Sequence, residues 1–469
     1  MSIHVVVIGA YGSAGAAMAG ELVDEPDVEL TLIDDGEPGG GLCILKGCMP
    51  SKEVLSAGAH RFQARHDERL DGPLPEIDLE AVVERKDDHV LSWAGHRRAA
   101  VEEYAEHDDV EFIHDTATFV DDHTVAVGDR EIEADYVVVA TGSVVNIPDL
   151  PGIHDVGFQT SADVLDATEF PDSGIVMGFG YIGLELVPYL SEAGGMDLTV
   201  IEHDDYPVDE ADSEFGEATL DLYRDAFDLD IPTNVYEQRL EPTDDGGVRL
   251  YLEDEDGEEE VVEADDLFLF TGRRPAIDRL NLDATALEPG PGWVEETMQA
   301  RDDERTFVVG DVNGKEPILH VAKEQAFQAA DNILAHANGE DLEAYENTHH
   351  HVIFSGLGVY PFARVGHNEE TAREAGYDIA VASRNASDDG VFKSKDVPEG
   401  LAKLVVDRTD GTVLGYQGLH YHADVMAKTM QVLVEMELDV REVPDRSYHP
   451  TTPEIIDGLL REAAAAVDE

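Results

Sequence analysis

The stretch His4-Val-Val-Val-Ile-Gly9, followed by Gly12 and Gly15 and continued by Leu30-Thr-Leu-Ile-Asp34, reads as strand, glycine turn, helix and second strand ending in an acid. The same grammar returns at Gly174-Ile-Val-Met-Gly178, with Gly180 and Gly183, and continues to Leu198-Thr-Val-Ile-Glu202. Each segment is read as a dinucleotide-binding βαβ unit. A short glycine turn lets a pyrophosphate approach the backbone, while the helix N-terminus supplies free N–H groups and positive potential. The acid closing the second strand can accept hydrogen bonds from an adenosine ribose. Gly178-Phe-Gly180-Tyr-Ile-Gly183 has the full spacing. In the first turn Gly9 and Gly12 are three apart, so either Ala10 stands where the first glycine belongs or Tyr11 is inserted. One such turn is a weak signal; two, each with strand, helix and terminal acid, are specific.

Outward from these units, Tyr136-Val-Val-Val-Ala-Thr141-Gly142-Ser143 is a buried strand running into a small-residue turn, and Pro148 and Pro151 punctuate an exit to a second domain. Leu267-Phe-Leu-Phe-Thr271-Gly272-Arg273-Arg274-Pro275 repeats the pattern at the return, and Thr306-Phe-Val-Val-Gly310-Asp311 offers a further strand. Beyond these, Leu401–Asp407, a turn at Thr409-Asp-Gly411 and Val413–Gln417 read as a hairpin, followed by a helix over Ala423–Met436. The expected fold is α/β, with two Rossmann-like dinucleotide-binding domains over residues 1–150 and 151–275. A segment over 276–345 completes the first domain, and an α+β domain follows over 346–469. His349-His350-His351 is the one histidine run; no Cys or carboxylate accompanies it at ligand spacing, so no metal site is expected.

The 469 residues contain 31 Lys+Arg against 103 Asp+Glu, a formal charge of −72 spread along the whole chain. Such a surface repels nucleic acid and anionic membranes. The 42% hydrophobic content and repeated Val/Ile/Leu runs point to a folded protein with an acidic skin rather than a disordered one. Self-repulsion of this size calls for counterions, as in proteins of halophilic archaea working in concentrated salt. No basic leader precedes the first strand and no apolar run is long enough to span a bilayer, so a cytoplasmic location is expected. Two cysteines lying close together suit a catalytic pair better than a structural staple in a reducing compartment.

Those cysteines lie in Gly40-Gly41-Leu42-Cys43-Ile44-Leu45-Lys46-Gly47-Cys48-Met49-Pro50-Ser51-Lys52. The spacing can bring two sulfurs into disulfide geometry at the start of a helix, whose N-terminus lowers a thiol pKa towards the thiolate. A carboxylate five positions after His449, at Glu454, can fix that histidine's tautomer and make it a general acid/base for thiols.

The cysteine stretch resembles the redox motif of the class I pyridine nucleotide–disulfide oxidoreductases, whose members include dihydrolipoamide dehydrogenase, glutathione reductase and mercuric reductase. The likeness covers nearly the whole chain, because both nucleotide units, both Thr-Gly turns, Gly310-Asp311 and His449-Pro-Thr-Thr-Pro-Glu454 occur in the family's order. It implies a homodimer with FAD on the first unit (Gly9, Gly12, Gly15, Asp34, Thr141, Gly142) and NAD, less readily NADP, on the second (Gly178, Gly180, Gly183, Glu202, Gly272). It also implies a resting Cys43–Cys48 disulfide, with Cys48 against the flavin as its charge-transfer thiolate and Cys43 exchanging with substrate. Lys52 would lie near flavin N5, paired with Glu185, and Asp311 would bond the ribityl chain. His449, held by Glu454, would reach across from the other subunit. The substrate so implied is a small dithiol/disulfide or a lipoyl protein. Leu42, Leu45, Lys46 and Ser447 depart from the family's usual residues, which leaves a low-molecular-weight disulfide as the alternative. Glu202, followed by His203-Asp-Asp205, favours NAD(H) by repelling a 2′-phosphate.

Overall fold

Val5, Val6 and Val7 are fully buried at the centre of a six-stranded sheet. Their strand, Ile3–Ile8, pairs in parallel with Val28–Ile33 on one side and Tyr136–Val139 on the other. Val110–Ile113 and Asp303–Val308 extend the parallel sheet, and Gln299–Ala300 closes it antiparallel. A parallel strand covered on both faces reads as an unbroken apolar run, and the two faces separate by alternation. Val5 and Val7 share a core with Met18, Leu22 and Ala326 of helices Ser13–Leu22 and Leu319–Asn338, while Val6 and Ile8 pack with Phe119, Val125 and Trp293. The computed structural model describes residues 2–468. Among these, no helix is long and apolar enough to cross a membrane.

This sheet belongs to a compact unit made of residues 1–50, 84–146 and 273–347; residues 51–83, 147–272 and 348–469 make the second. In the second unit a parallel sheet is ordered Asp197–Ile201, Ser173–Met177, Asp266–Leu269, Gln159–Thr160. A three-stranded antiparallel sheet, Val235–Pro242, Val248–Asp254 and Glu259–Ala264, covers one face, with Ile175 and Met177 packed on Leu250 and Leu252. The same unit contains a five-stranded antiparallel sheet in the order His350–Ile353, Phe362–Gly366, Val413–His420, Gly400–Asp407, Ile379–Asn385. Helices Ala423–Glu435 and Glu454–Asp468 place Met426, Met430, Ile455 and Leu459 in a core with Leu404 and Tyr416.

The units divide the chain differently from the four expected segments. Residues 51–83, expected with the first nucleotide domain, belong to the second unit, because Val54, Leu55 and Phe62 are buried with Leu184, Tyr189 and Phe227. The segments 151–275 and 346–469, expected as separate domains, also share one core. Lys403, almost wholly buried, pairs with Asp212 at 2.9 Å, with Glu369 at 2.8 Å and with Glu214. Removing one partner of a buried pair of this kind costs about 3–5 kcal/mol.

Candidate active site

Within the first unit, Gly9 has φ +101° and a Cβ there would overlap the carbonyl of Ala140 on the neighbouring strand. Gly12 caps helix Ser13–Leu22, and a Cβ on Gly15 would overlap Gly9 O. Gly9, Gly12 and Gly15 thus play the parts that Gly178, Gly180 and Gly183 play in the second turn, where Gly180 caps helix Tyr181–Gly194. The long spacing is therefore an insertion, not a replacement of the first glycine by Ala10. The extra residue is used: Tyr11 N donates to Asp34 Oδ2 at 2.8 Å, and Gly36 N donates to Oδ1 at 2.8 Å. Burial holds the Asp34 carboxyl above its usual range despite these donors.

A cavity of about 400 Å³ opens over this turn, bounded by Asp34, both cysteines, Thr141, Gly142 and Asp311. Cys43 sits in the short helix Gly41–Leu45, and Cys48 is the first residue of the long helix Cys48–His66. Both are thiols in this structure rather than a disulfide, Cys48 the more exposed. The hydrogen bond to Cys48, then burial, push the Cys43 thiol far up. Of the two, only Cys48 heads the long helix, so the helix N-terminus acts on Cys48 rather than on Cys43. Arg97 partly opposes the rise, and its Nη1 donates to Tyr11 O at 3.1 Å and Gly12 O at 3.0 Å, clamping the turn.

Asp311 Oδ2 accepts from Ser143 Oγ at 2.7 Å; Arg273 in turn donates to Ser143 Oγ at 2.9 Å and Ser143 O at 2.6 Å. One carboxylate oxygen of Asp311 is fixed in this way beside the cavity. Thr141 Oγ1 donates to Ala276 O at 2.9 Å, so the hydroxyl holds the turn. Arg97, Ser143 and Arg273 escape a reading of motifs, since each acts through a partner distant in sequence.

In the second unit, Lys52 Nζ donates to both oxygens of Glu185 at 2.8 and 2.7 Å and lies 4.1 Å over the Phe354 ring. Phe354 N also donates to Glu185 Oε1, at 3.1 Å. Glu202 directly follows strand Asp197–Ile201 and accepts from Asp204 N at 3.0 Å; burial raises its pKa. His203 Nε2 is 2.6 Å from Glu237 Oε2, a bond that raises the histidine's pKa. Gly272 turns at φ +79° with open space around it. His449 Nδ1 faces Glu454 Oε1 at 3.0 Å, and the histidine side chain is 80% exposed. Glu454 also accepts from Thr451 N, at 2.9 Å. The histidine run, which lacks a carboxylate at ligand spacing, is given one by the fold: Glu210 lies beside His349 and His351.

The chain matches the family described as pyridine nucleotide-disulphide oxidoreductase over residues 3–326 and the dimerisation domain of that family over residues 352–459. It is 28% identical to the dihydrolipoyl dehydrogenase of Halobacterium salinarum, across 96% of this chain and 94% of that protein. It is 28% identical to a mercuric reductase of Staphylococcus aureus, across 94% and 78%. Among solved structures, the HOCl-induced flavoprotein disulfide reductase RclA from Escherichia coli superposes with a TM-score of 0.81 at 21% identity, covering 98% of this chain and 99% of that one.

Proposed function

Because the chain belongs to the pyridine nucleotide-disulphide oxidoreductase family, whose members bind FAD and use NAD(P)H, we propose that Cys43 and Cys48 relay electrons between NAD(H) and a dihydrolipoyl-type dithiol. The observation that carries this reading is that both sulfurs border the same cavity as the first glycine turn and Asp311. That cavity fits FAD: side-chain-free backbone at Gly9 and Gly12 and a helix N-terminus suit the pyrophosphate, Asp34 the adenosine ribose, and Asp311 the ribityl hydroxyls. When bound, FAD accepts hydride from the reduced nicotinamide and supplies an electron pair to the sulfurs.

The residues divide the remaining work. Lys52, oriented by its two hydrogen bonds to Glu185, is the cation offered to the flavin ring. Cys43 exchanges with substrate, and its tight hold on a proton in the dithiol form means that a base must remove it. His449 serves as that base. A proton on Nδ1 donated to Glu454 leaves Nε2 as the accepting nitrogen, and the exposure of the side chain suits a residue that completes a site in another subunit. The matched dimerisation domain supports such a homodimer. The net reaction is NADH + H⁺ + a cyclic disulfide R(S–S) giving NAD⁺ + the dithiol R(SH)₂, or its reverse, with Glu202 turning away the 2′-phosphate of NADP.

A second substrate class, low-molecular-weight disulfides, is favoured by Ser447, which is occupied by Asp457 through both N and Oγ at 2.6 and 2.9 Å, and by Lys46 on the cavity rim. Steady-state rates with lipoamide, bis-γ-glutamylcystine and glutathione disulfide against both nicotinamides at molar salt test the choice. The expected result is the highest kcat/KM for the lipoamide–NAD(H) pair. A higher value for bis-γ-glutamylcystine would transfer the assignment to the second class, and no turnover of any disulfide would contradict the function.

A further inference from the structure

The odd members of the histidine run share one face. His350 points the other way, to Gln431 at 3.4 Å, as strand alternation requires. On the shared face, His349 Nε2 and His351 Nδ1 are 3.0 Å apart with their rings at 73°. Glu210, from the loop ahead of helix Ser213–Phe227, brings Oε1 to 3.0 Å of His351 Nε2 and Oε2 to 3.5 Å of His349 Nε2. His351 is buried, and although its Nε2 lies that close to the carboxylate it makes no aligned hydrogen bond. One ligand atom from each of the three residues falls within 4.8 Å of the others.

We propose that Glu210, His349 and one ring nitrogen of His351 bind a divalent transition-metal ion. Bonds of about 2.0–2.2 Å to a tetrahedral ion put neighbouring ligand atoms roughly 3.3 Å apart; from His349 Nε2 the separations are 3.0 Å to His351 Nδ1 and 3.5 Å to Glu210 Oε2, on either side of that edge, and one ligand atom from each residue lies within 4.8 Å of the other two. Two imidazoles and one carboxylate suit zinc, copper, nickel or iron; magnesium and calcium prefer shells of oxygen. The backbone is already set: Arg364 Nη1 and Asn368 Nδ2 donate to Glu210 O at 2.6 and 3.0 Å. The Arg364 guanidinium is thereby committed to the carbonyl, 3.9 Å from Oε2, and the carboxylate is turned to the histidines. Tyr181, which opens the helix of the second glycine turn, stacks on the His351 ring and donates its hydroxyl to Glu210 Oε1. Three protein ligands leave at least one coordination position for water or another small ligand.

The test uses FAD-loaded protein carrying Cys43→Ser and Cys48→Ser, which removes the competing thiols. Equilibrium dialysis against Co²⁺ or Zn²⁺ in molar KCl with excess Mg²⁺ keeps the acidic surface saturated by a hard ion. One ion per chain is expected, with affinity at least tenfold weaker after His349→Ala and after Glu210→Gln, FAD content and circular dichroism showing each variant folded. Absence of saturable binding, or unchanged affinity in both variants, would overturn the proposal. Should the variants not fold, electron paramagnetic resonance of Cu²⁺ bound to the parent decides: coupling to two imidazole nitrogens is expected, and an oxygen-only signal would refute the site.

Discussion

The two glycine turns solve one steric problem with different numbers of residues. In each, the first glycine sits at positive φ, +101° at Gly9 and +97° at Gly178, where a Cβ would strike the carbonyl of an adjacent strand, and the last lets the helix lie on the turn. Between first and second glycine the first turn has two residues and the second has one. The added Tyr11 gives its N–H to Asp34, so in the first unit the acid that closes the βαβ motif also braces the turn. Glu202 braces only its own loop, through Asp204 N. A turn and acid tied together suit a cofactor that stays bound; a turn whose acid is bonded to its own loop instead suits a nucleotide that comes and goes.

The largest effect that would sharpen this contrast comes from the first glycines. Gly9→Ala should yield protein lacking FAD, because the overlap is with backbone that cannot yield. Gly178→Ala meets backbone in the same way, at Phe270 O, but in the other turn, so it should keep its FAD and lose at least about tenfold, or ~1.4 kcal/mol, in kcat/KM for NADH. Equal FAD retention in both would break the comparison. Next, Glu202→Arg should move the NADPH/NADH ratio of kcat/KM by at least about tenfold, or ~1.4 kcal/mol; a wild type that already favours NADPH would refute the reading of Glu202.

Gly180→Ala separates fold from ligand. Nothing lies within 4 Å of a Cβ there, so the melting temperature should hold, while KM for NADH rises several-fold as the methyl occupies the approach of the pyrophosphate. An unchanged KM would place the nucleotide elsewhere. The smallest effect is one of pH. The bond to Glu237 raises the folded-state pKa of His203 above its unfolded value. The stabilisation is then complete below the unfolded value of about 6.5 and fades as pH rises through the raised one. His203 is half exposed, so solvent screening limits the term to about 0.2–1 kcal/mol. The melting-temperature gap between wild type and His203→Gln should therefore narrow from pH 6 to pH 9, and a gap that widens would reverse the assignment.

What could be read from the chain follows the range of the interactions. Strands such as Val5–Ile8 and Ile175–Met177 announce themselves because burial on both faces leaves only apolar residues, and the glycine turns because no side chain fits. Whether Ala10 replaces a glycine or Tyr11 is inserted depends on which residue passes Ala140, a contact between strands far apart in sequence. The same holds for Arg97 on the turn carbonyls, for Ser143 and Arg273 around Asp311, and for Glu210 beside the histidines. The rise at Cys43 is of the same kind: the spacing shows a helix start nearby, but not that Cys48 occupies it and bonds Cys43.

The central claim, that electrons from the nicotinamide settle on Cys43 and Cys48, is open to a direct count. FAD-loaded enzyme, oxidised and anaerobic, receives one equivalent of NADH per chain, is quenched, and its reactive thiols are titrated under denaturing conditions. The account predicts two new thiols per chain in the wild type and none in Cys48→Ser; a wild-type count that does not change while NADH is consumed would contradict it.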